Sequence, residues 1–333
     1  MRKLLLPVLL FSLISANVFA GEGKESVSSL PAGPQEQEDR NAFIGDFVYP
    51  NDFYRAYIYD RQPSLQKPGK VSYEIVIGSD GWFFLGNDLD KTYRRELMTK
   101  KELQYSVSFF KEIKEKCDEV GAKLLYFIPP VTSTIYPEYL PKTVKRRDRL
   151  VVDQVIAAVK AEAGVDIIYP KEALLKEKES YQLYTRSDAH WNEIGALIGA
   201  NELFKAASRW FPDMEIHSPA EYKITRQRVF GDVGARQLNL EQIVADEEVT
   251  LVPTFHPAED RHLPTTLVFH DSYYEAMKKI ISENFNVVFS VPTTGGLNEM
   301  KNPREAVLRQ IESTKPEVVI IELCERARIA YGF

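Results

Sequence analysis

Between residues 123 and 323 short apolar runs alternate with segments of helical spacing, and this alternation constrains the fold more than any other feature of the chain. The runs at 123–128, 165–168, 265–269, 286–290 and 317–323 are of strand length and largely apolar, which predicts strands buried on both faces. Segments 148–163, 192–210, 274–283 and 304–313 carry apolar residues at helical spacing and predict helices. An earlier helix over 99–120 places Leu103, Val107, Phe110, Ile113 and Cys117 on one face, and Gly121 closes it. Strands and helices in alternation predict an α/β fold: a doubly wound, mainly parallel sheet with helices on both faces. Upstream, 71–77 and 82–85 flank Ser79-Asp80-Gly81 and predict a hairpin. Residues 212–264 break the rhythm. They are polar, with scattered Pro and His and no long periodic element, and predict a loop-rich insertion folded over one end of the sheet.

Open α/β sheets bind ligands beyond the carboxyl ends of their strands. Ser272 falls at such a place, between the strand at 265–269 and the helix at 274–283. Asp188 and His190 lie in Ser187-Asp188-Ala189-His190-Trp191-Asn192, just before another helix. A free serine hydroxyl attacks poorly near neutral pH. An imidazole must take its proton, and a carboxylate must hold that imidazole in the right tautomer. Ser272, His190 and Asp188 are therefore the candidate nucleophile, base and orienting acid. Backbone N–H groups at the helix start after Ser272 would face a developing oxyanion. The bland reading stands beside this one: Ser272 and Asp188 as helix N-caps, His190 as a loop histidine. As a base His190 must be neutral, so activity should fall on acidification through the ordinary imidazole range near pH ~6.5.

Other chemistries find less support. Asp188 and His190 could join His256, His262, His270 or Asp271 around a metal, but no motif of metal-ligand spacing is present, and none is expected. No phosphate-cradling glycine motif occurs, Gly295-Gly296 reading as a loop, and no cofactor is expected. A net charge of −6 gives no basic face for nucleic acid, and Lys145-Arg146-Arg147 reads as a solvated helix start. Tyr136, Tyr139, Tyr273 and Tyr274 are candidates for stacking on sugar rings, and Trp191 and Arg326 join Tyr273 and Tyr274 as candidate substrate contacts.

Residues 1–20 read as a cleaved secretory signal. Arg2 and Lys3 precede an apolar run, and Val18-Phe19-Ala20 supplies the cleavage site. Residues 21–40 read as a disordered leader, and 41–333 as one domain. An exported chain permits a bridge between its two cysteines, Cys117 and Cys324, although both sit in apolar segments where buried free thiols are ordinary.

Three stretches together resemble a known family. Gly78-Ser79-Asp80-Gly81-Trp82-Phe83-Phe84-Leu85-Gly86-Asn87-Asp88 resembles a hairpin of the alginate O-acetyltransferase AlgJ/AlgX family. Asp188-Ala189-His190-Trp191 resembles its Asp-x-His-Trp signature, and Glu322 to Arg326 resembles its Glu-x-x-Glu-Arg segment. The Pro129-Pro130 stretch after the first sheet strand is also similar. The resemblance covers about 71–328 and implies an SGNH hydrolase-like fold with the Asp-x-His element ahead of the serine. It implies a periplasmic protein that acetylates an exported polysaccharide, with a carbohydrate acetylesterase or a non-catalytic scaffold subunit of a polysaccharide export complex as the alternative readings. Its acetyl donor would be delivered by a membrane-bound O-acyltransferase, and other polysaccharide export proteins would be partners. His270-Asp271 stands where the family often has Gly-Thr, and no carbohydrate-binding module is expected after the last strand.

Overall fold

In the computed structural model, residues 75–89, 97–141, 144, 149–230, 245–292 and 302–326 are described. The signal, the leader, Lys145-Arg146-Arg147 and Gly295-Gly296 lie outside them.

The predicted hairpin forms from β1 (Ile75–Ile77) and β2 (Phe83–Leu85), paired antiparallel. Gly78 permits a close approach at its turn: a Cβ there would stand 2.2 Å from the Tyr139 carbonyl oxygen. Trp82 stacks on Tyr136 and Tyr139, with ring centroids 4.3 and 5.2 Å away.

Helix α1 (Lys100–Val120) begins at a capping box of Thr99 and Glu102 and ends at Gly121, whose φ of 81° lies in the left-handed region. Its apolar stripe is buried as the spacing required, from Val107 and Phe110 to Cys117. Then follow β3 (Lys123–Phe127), α2 (Val151–Ala158, continued by a π-helical turn to Ala163), β4 (Asp166–Ile168) and α3 (Lys171–Glu177). Next come α4 (Glu193–Ala207), β5 (Tyr222–Phe230), β6 (Ala245–Pro253), β7 (Thr265–His270) and α5 (Tyr274–Ser282). The described chain closes with β8 (Asn286–Pro292), α6 (Pro303–Thr314) and β9 (Val318–Glu322).

The main sheet has the order β4-β3-β9-β7-β8, and every pair in it is parallel. All five residues of β9 are buried, as are four of the five in β3. A strand dry on both sides needs cover on both faces, which explains why these strands read as continuous apolar runs. Helix α1 packs on α6, and α4 packs on α5.

One expectation fails. Residues 212–264 hold two nine-residue strands, β5 and β6, paired antiparallel from Tyr222 opposite Pro253 to Phe230 opposite Ala245. The hairpin buries Tyr222, Val249 and Leu251, while Lys223, Thr225 and Gln227 face solvent. A ribbon with one wet face can keep its polar residues, so low hydrophobicity hid it.

Cys117 and Cys324 are both buried and unbridged. Burial pushes the Cys117 thiol up to about 12.

Candidate active site

Central position makes the end of β9 the organising point of the sheet's carboxyl edge. Glu322, its last residue, reaches toward β7, and Glu325 reaches toward β3. Glu325 accepts from the Val131 N–H at 2.8 Å and the Thr134 hydroxyl at 2.7 Å, and also from the Tyr169 hydroxyl. This fastens the segment after Pro129-Pro130. Glu322 accepts from the Asp271 N–H at 2.9 Å.

Ser272 sits in the tight turn from β7 into α5, with its side chain exposed. It does not cap the helix with its side chain. Nor does Asp271, which closes the turn ahead of the helix, accepting from the Tyr273 N–H at 2.9 Å with one oxygen and from the Cys324 N–H at 2.8 Å with the other. The N–H groups of Tyr274 and Glu275 turn back to the carbonyls of Asp271 and Ser272. Among the described residues, the N–H of Ser272 itself has no acceptor. The expected anion donor is therefore the serine's own amide rather than those that follow it.

The second loop runs from Tyr184 to Trp191, which pair as an isolated antiparallel bridge. The Thr185 N–H donates to the His190 carbonyl at 3.2 Å, closing the loop on itself. Asn192, not Asp188, caps α4, accepting from the Ile194 and Gly195 N–H groups at 3.0 and 3.1 Å. Asp188 is thereby left for the imidazole. Its Oδ1 lies 2.7 Å from His190 Nδ1, and it also accepts from the Ala189 N–H. His190 Nε2 lies 2.8 Å from Ser272 Oγ. With Nδ1–H donating to the carboxylate, Nε2 presents its lone pair to the hydroxyl. The structure thus joins Asp188, His190 and Ser272 in one hydrogen-bonded chain.

Trp191, Tyr273 and Tyr274 are buried, which corrects their assignment as substrate contacts. Apolar rings at the foot of two loops bury against each other more readily than they stay wet. The Trp191 indole donates to the Tyr273 carbonyl at 2.8 Å, and the Tyr273 hydroxyl donates to the Ala189 carbonyl. Arg326 is half-buried. Its guanidinium donates to both Asp88 oxygens at 3.0 and 2.9 Å and lies over the Tyr273 ring at 5.3 Å. Tyr136 is buried, and Tyr139 is half-buried against Trp82.

His270 faces away from Ser272, with Nε2 3.2 Å from Ser290 Oγ and Nδ1 2.9 Å from the Asp271 carbonyl oxygen. Burial holds its imidazole below the ordinary value. Among the described residues no group of three or more His, Cys, Asp or Glu is placed to hold a metal ion.

Asp246 escaped the sequence reading. It lies on β6, buried, and accepts from the N–H and hydroxyl of Ser187 at 2.7 and 2.9 Å. The β5–β6 hairpin thus grips the residue before Asp188. On the other side the Phe83 N–H donates to the Arg186 carbonyl at 2.7 Å, so β2 grips the residue before Ser187. A polar stretch gave no sign that one of its aspartates would be dry.

A five-stranded parallel sheet, with these loops at its carboxyl edge, places the fold among the SGNH hydrolase-like proteins. Residues 75–250, just over half of the chain, match the family model described as SGNH hydrolase-like domain, acetyltransferase AlgX, and the chain belongs to that family. The matched segment holds Asp188 and His190 and ends before Ser272. The chain is 25% identical over 141 residues to the probable alginate O-acetylase AlgJ of Pseudomonas syringae pv. tomato, a stretch covering 41% of this chain and 34% of that protein. It therefore spans about a third of that relative's length. The O-acetyltransferase domain of Pseudomonas putida AlgJ superposes with a TM-score of 0.54 at 19% identity, covering 77% of this chain and 92% of that one. Bacillus cereus PatB1, solved with a sulfonyl adduct, superposes with a TM-score of 0.56 at 12% identity, covering 78% of this chain and all of that one.

Proposed function

We propose that this protein is a periplasmic O-acetyltransferase that moves an acetyl group onto hydroxyls of an exported polysaccharide through an acetyl-serine at Ser272. The observation that carries the reading is the chain from Asp188 through His190 to the exposed Ser272 hydroxyl, at 2.7 and 2.8 Å. Membership in an acetyltransferase family and likeness to AlgJ supply the acyl group and the class of acceptor.

In the first half-reaction the Ser272 proton passes to His190 Nε2, and Oγ attacks the acetyl carbonyl carbon. The oxyanion forms beside the unbonded Ser272 N–H. The donor's oxygen leaves with the proton held on His190, and acetyl-Ser272 remains. In the second half His190 takes the proton of a sugar hydroxyl, whose oxygen attacks the acetyl carbon. Oγ leaves and recovers its proton. Asp188 holds the imidazole in one tautomer and stabilises it while protonated.

An acetylesterase differs only in admitting water in place of the sugar, and the exposure of Ser272 favours keeping that second reading. The donor would reach Ser272 from a membrane-bound O-acyltransferase, alongside other export proteins. Residues 1–20 would be the export signal, 21–40 a leader, and 41–333 the catalytic domain. Among the described residues no helix is long and apolar enough to cross a membrane.

The test is turnover of a chromogenic acetyl ester with and without acetylated-polymer precursors. A mass gain of one acetyl on added oligosaccharide supports the transferase. Ester hydrolysis with unmodified sugar supports the esterase, and no turnover in the wild type refutes both.

A further inference from the structure

Around Ser272 the backbone N–H on each side ends on a carboxyl oxygen. Asp271 N–H donates to Glu322 Oε2 at 2.9 Å, and Tyr273 N–H donates to Asp271 Oδ1 at 2.9 Å. The second Asp271 oxygen takes the Cys324 N–H at 2.8 Å, so the turn is pinned to the chain just past β9 as well. Glu322 is completely buried, on the strand hydrogen-bonded directly to β7. We propose that Glu322 is a positioning residue for Ser272, holding the turn so that the hydroxyl meets His190 and the Ser272 N–H stays open to the acyl oxygen. The proposal rests on the acetyl-serine reading above.

Geometry alone gives Glu322 an unusual burden. It brings a second buried acid against Asp271, and its Oε1 has no hydrogen-bond partner among the described residues. Burial, and then the Asp271 carboxylate, push the Glu322 carboxyl well above the ordinary range, with Arg326 opposing. The other titratable groups around it are Tyr126 on β3, Tyr274 on α5 and the Cys324 thiol. None of these is a cation, and Arg326 is already paired with Asp88. A neutral Glu322 removes the like-charge repulsion and still accepts from Asp271 through Oε2. What the turn needs from this position is then an acceptor of the right shape and no charge.

Two substitutions separate these requirements. Glu322→Gln keeps the shape and an acceptor oxygen and cannot ionise. Glu322→Leu keeps the volume and removes the acceptor. With 4-nitrophenyl acetate at neutral pH, E322L should lower kcat about tenfold or more with KM nearly unchanged, the scale of one lost buried hydrogen bond. E322Q should recover most of that loss. The wild type should also lose kcat on the alkaline side as Glu322 ionises, and E322Q should lack that descent.

A folded E322L with wild-type kcat would overturn the proposal. So would an E322Q as damaged as E322L, since the charge would then be what matters. If E322L does not fold, E322Q decides: kcat close to the wild type supports the role, and a tenfold or greater loss in folded E322Q overturns it. An inactive wild type with no label on Ser272 would instead sink the acetyl-serine reading, and the proposal with it.

Discussion

The Trp191 indole donates to the carbonyl of Tyr273 at 2.8 Å, while the Tyr273 hydroxyl returns to the carbonyl of Ala189, two residues before Trp191. Two loops from distant parts of the chain are thus tied by reciprocal hydrogen bonds directly beneath the His190–Ser272 contact. Tyr273→Phe removes one of these bonds and nothing else. It should cost about 1 kcal/mol of stability and lower kcat a few-fold, with KM unchanged. Thermal unfolding and ester kinetics check it, and a variant unchanged in both would show that the brace carries no strain from the site.

His190 works as a base through the lone pair on Nε2, which the Nδ1–H donated to Asp188 keeps aimed at Ser272. Asp188→Asn should leave the fold intact and lower kcat by about a hundredfold or more, because the amide favours the wrong tautomer. Steady-state kinetics of both proteins on a chromogenic acetyl ester measure this. A folded Asp188→Asn with wild-type kcat would remove Asp188 from the role.

Asp246 is expected to matter although it touches neither Ser272 nor His190. Asp246→Ala leaves the Ser187 N–H and hydroxyl without their acceptor in a dry place, at a cost of about 1–3 kcal/mol per group. The loop bearing Asp188 should loosen, so kcat should fall with the unfolding temperature. Asp246→Asn keeps an acceptor oxygen and should fall between. Equal activity in all three would confine Asp246 to a local role in the β5–β6 hairpin.

Much of this architecture was legible because burial on both faces leaves a plain signature. β3, β7 and β9 must be apolar through their middles, and residues 124–127, 267–269 and 318–321 are. The β5–β6 hairpin wets one face, so Lys223, Thr225 and Gln227 disguise it. The hydroxyl, imidazole and acid at 272, 190 and 188 stand at element boundaries, where their types are conspicuous. Their supports are not conspicuous. Asp246, Glu322 and Glu325 are carboxylates, and nothing in a one-dimensional string separates a dry carboxylate from a wet one. The aromatic neighbours misled for the opposite reason. Tyr273 and Tyr274 sit beside Ser272 in the chain, yet a helix start turns successive side chains to different sides, and both turned inward.

Glu322 should also leave a mark on stability. A carboxyl whose folded-state value is raised stabilises fully below its unfolded value of ~4.3, and loses that contribution as the pH rises toward the folded value. Over that window the linkage slope is about 1.4 kcal/mol per pH unit. Glu322→Gln does not titrate. Its stability relative to the wild type should therefore climb as the pH rises from about 4 toward neutrality, as read from urea midpoints. Parallel curves would mean that Glu322 ionises alike in both states.

The most direct measurement is mass spectrometry of the wild-type protein quenched during turnover of an acetyl donor. The peptide containing Ser272 should carry one acetyl group. That acetyl should be absent in Ser272→Ala and in His190→Ala, and both variants should lose turnover. Wild-type turnover with Ser272 unmodified, together with full activity in Ser272→Ala, would contradict a serine nucleophile at this edge of the sheet.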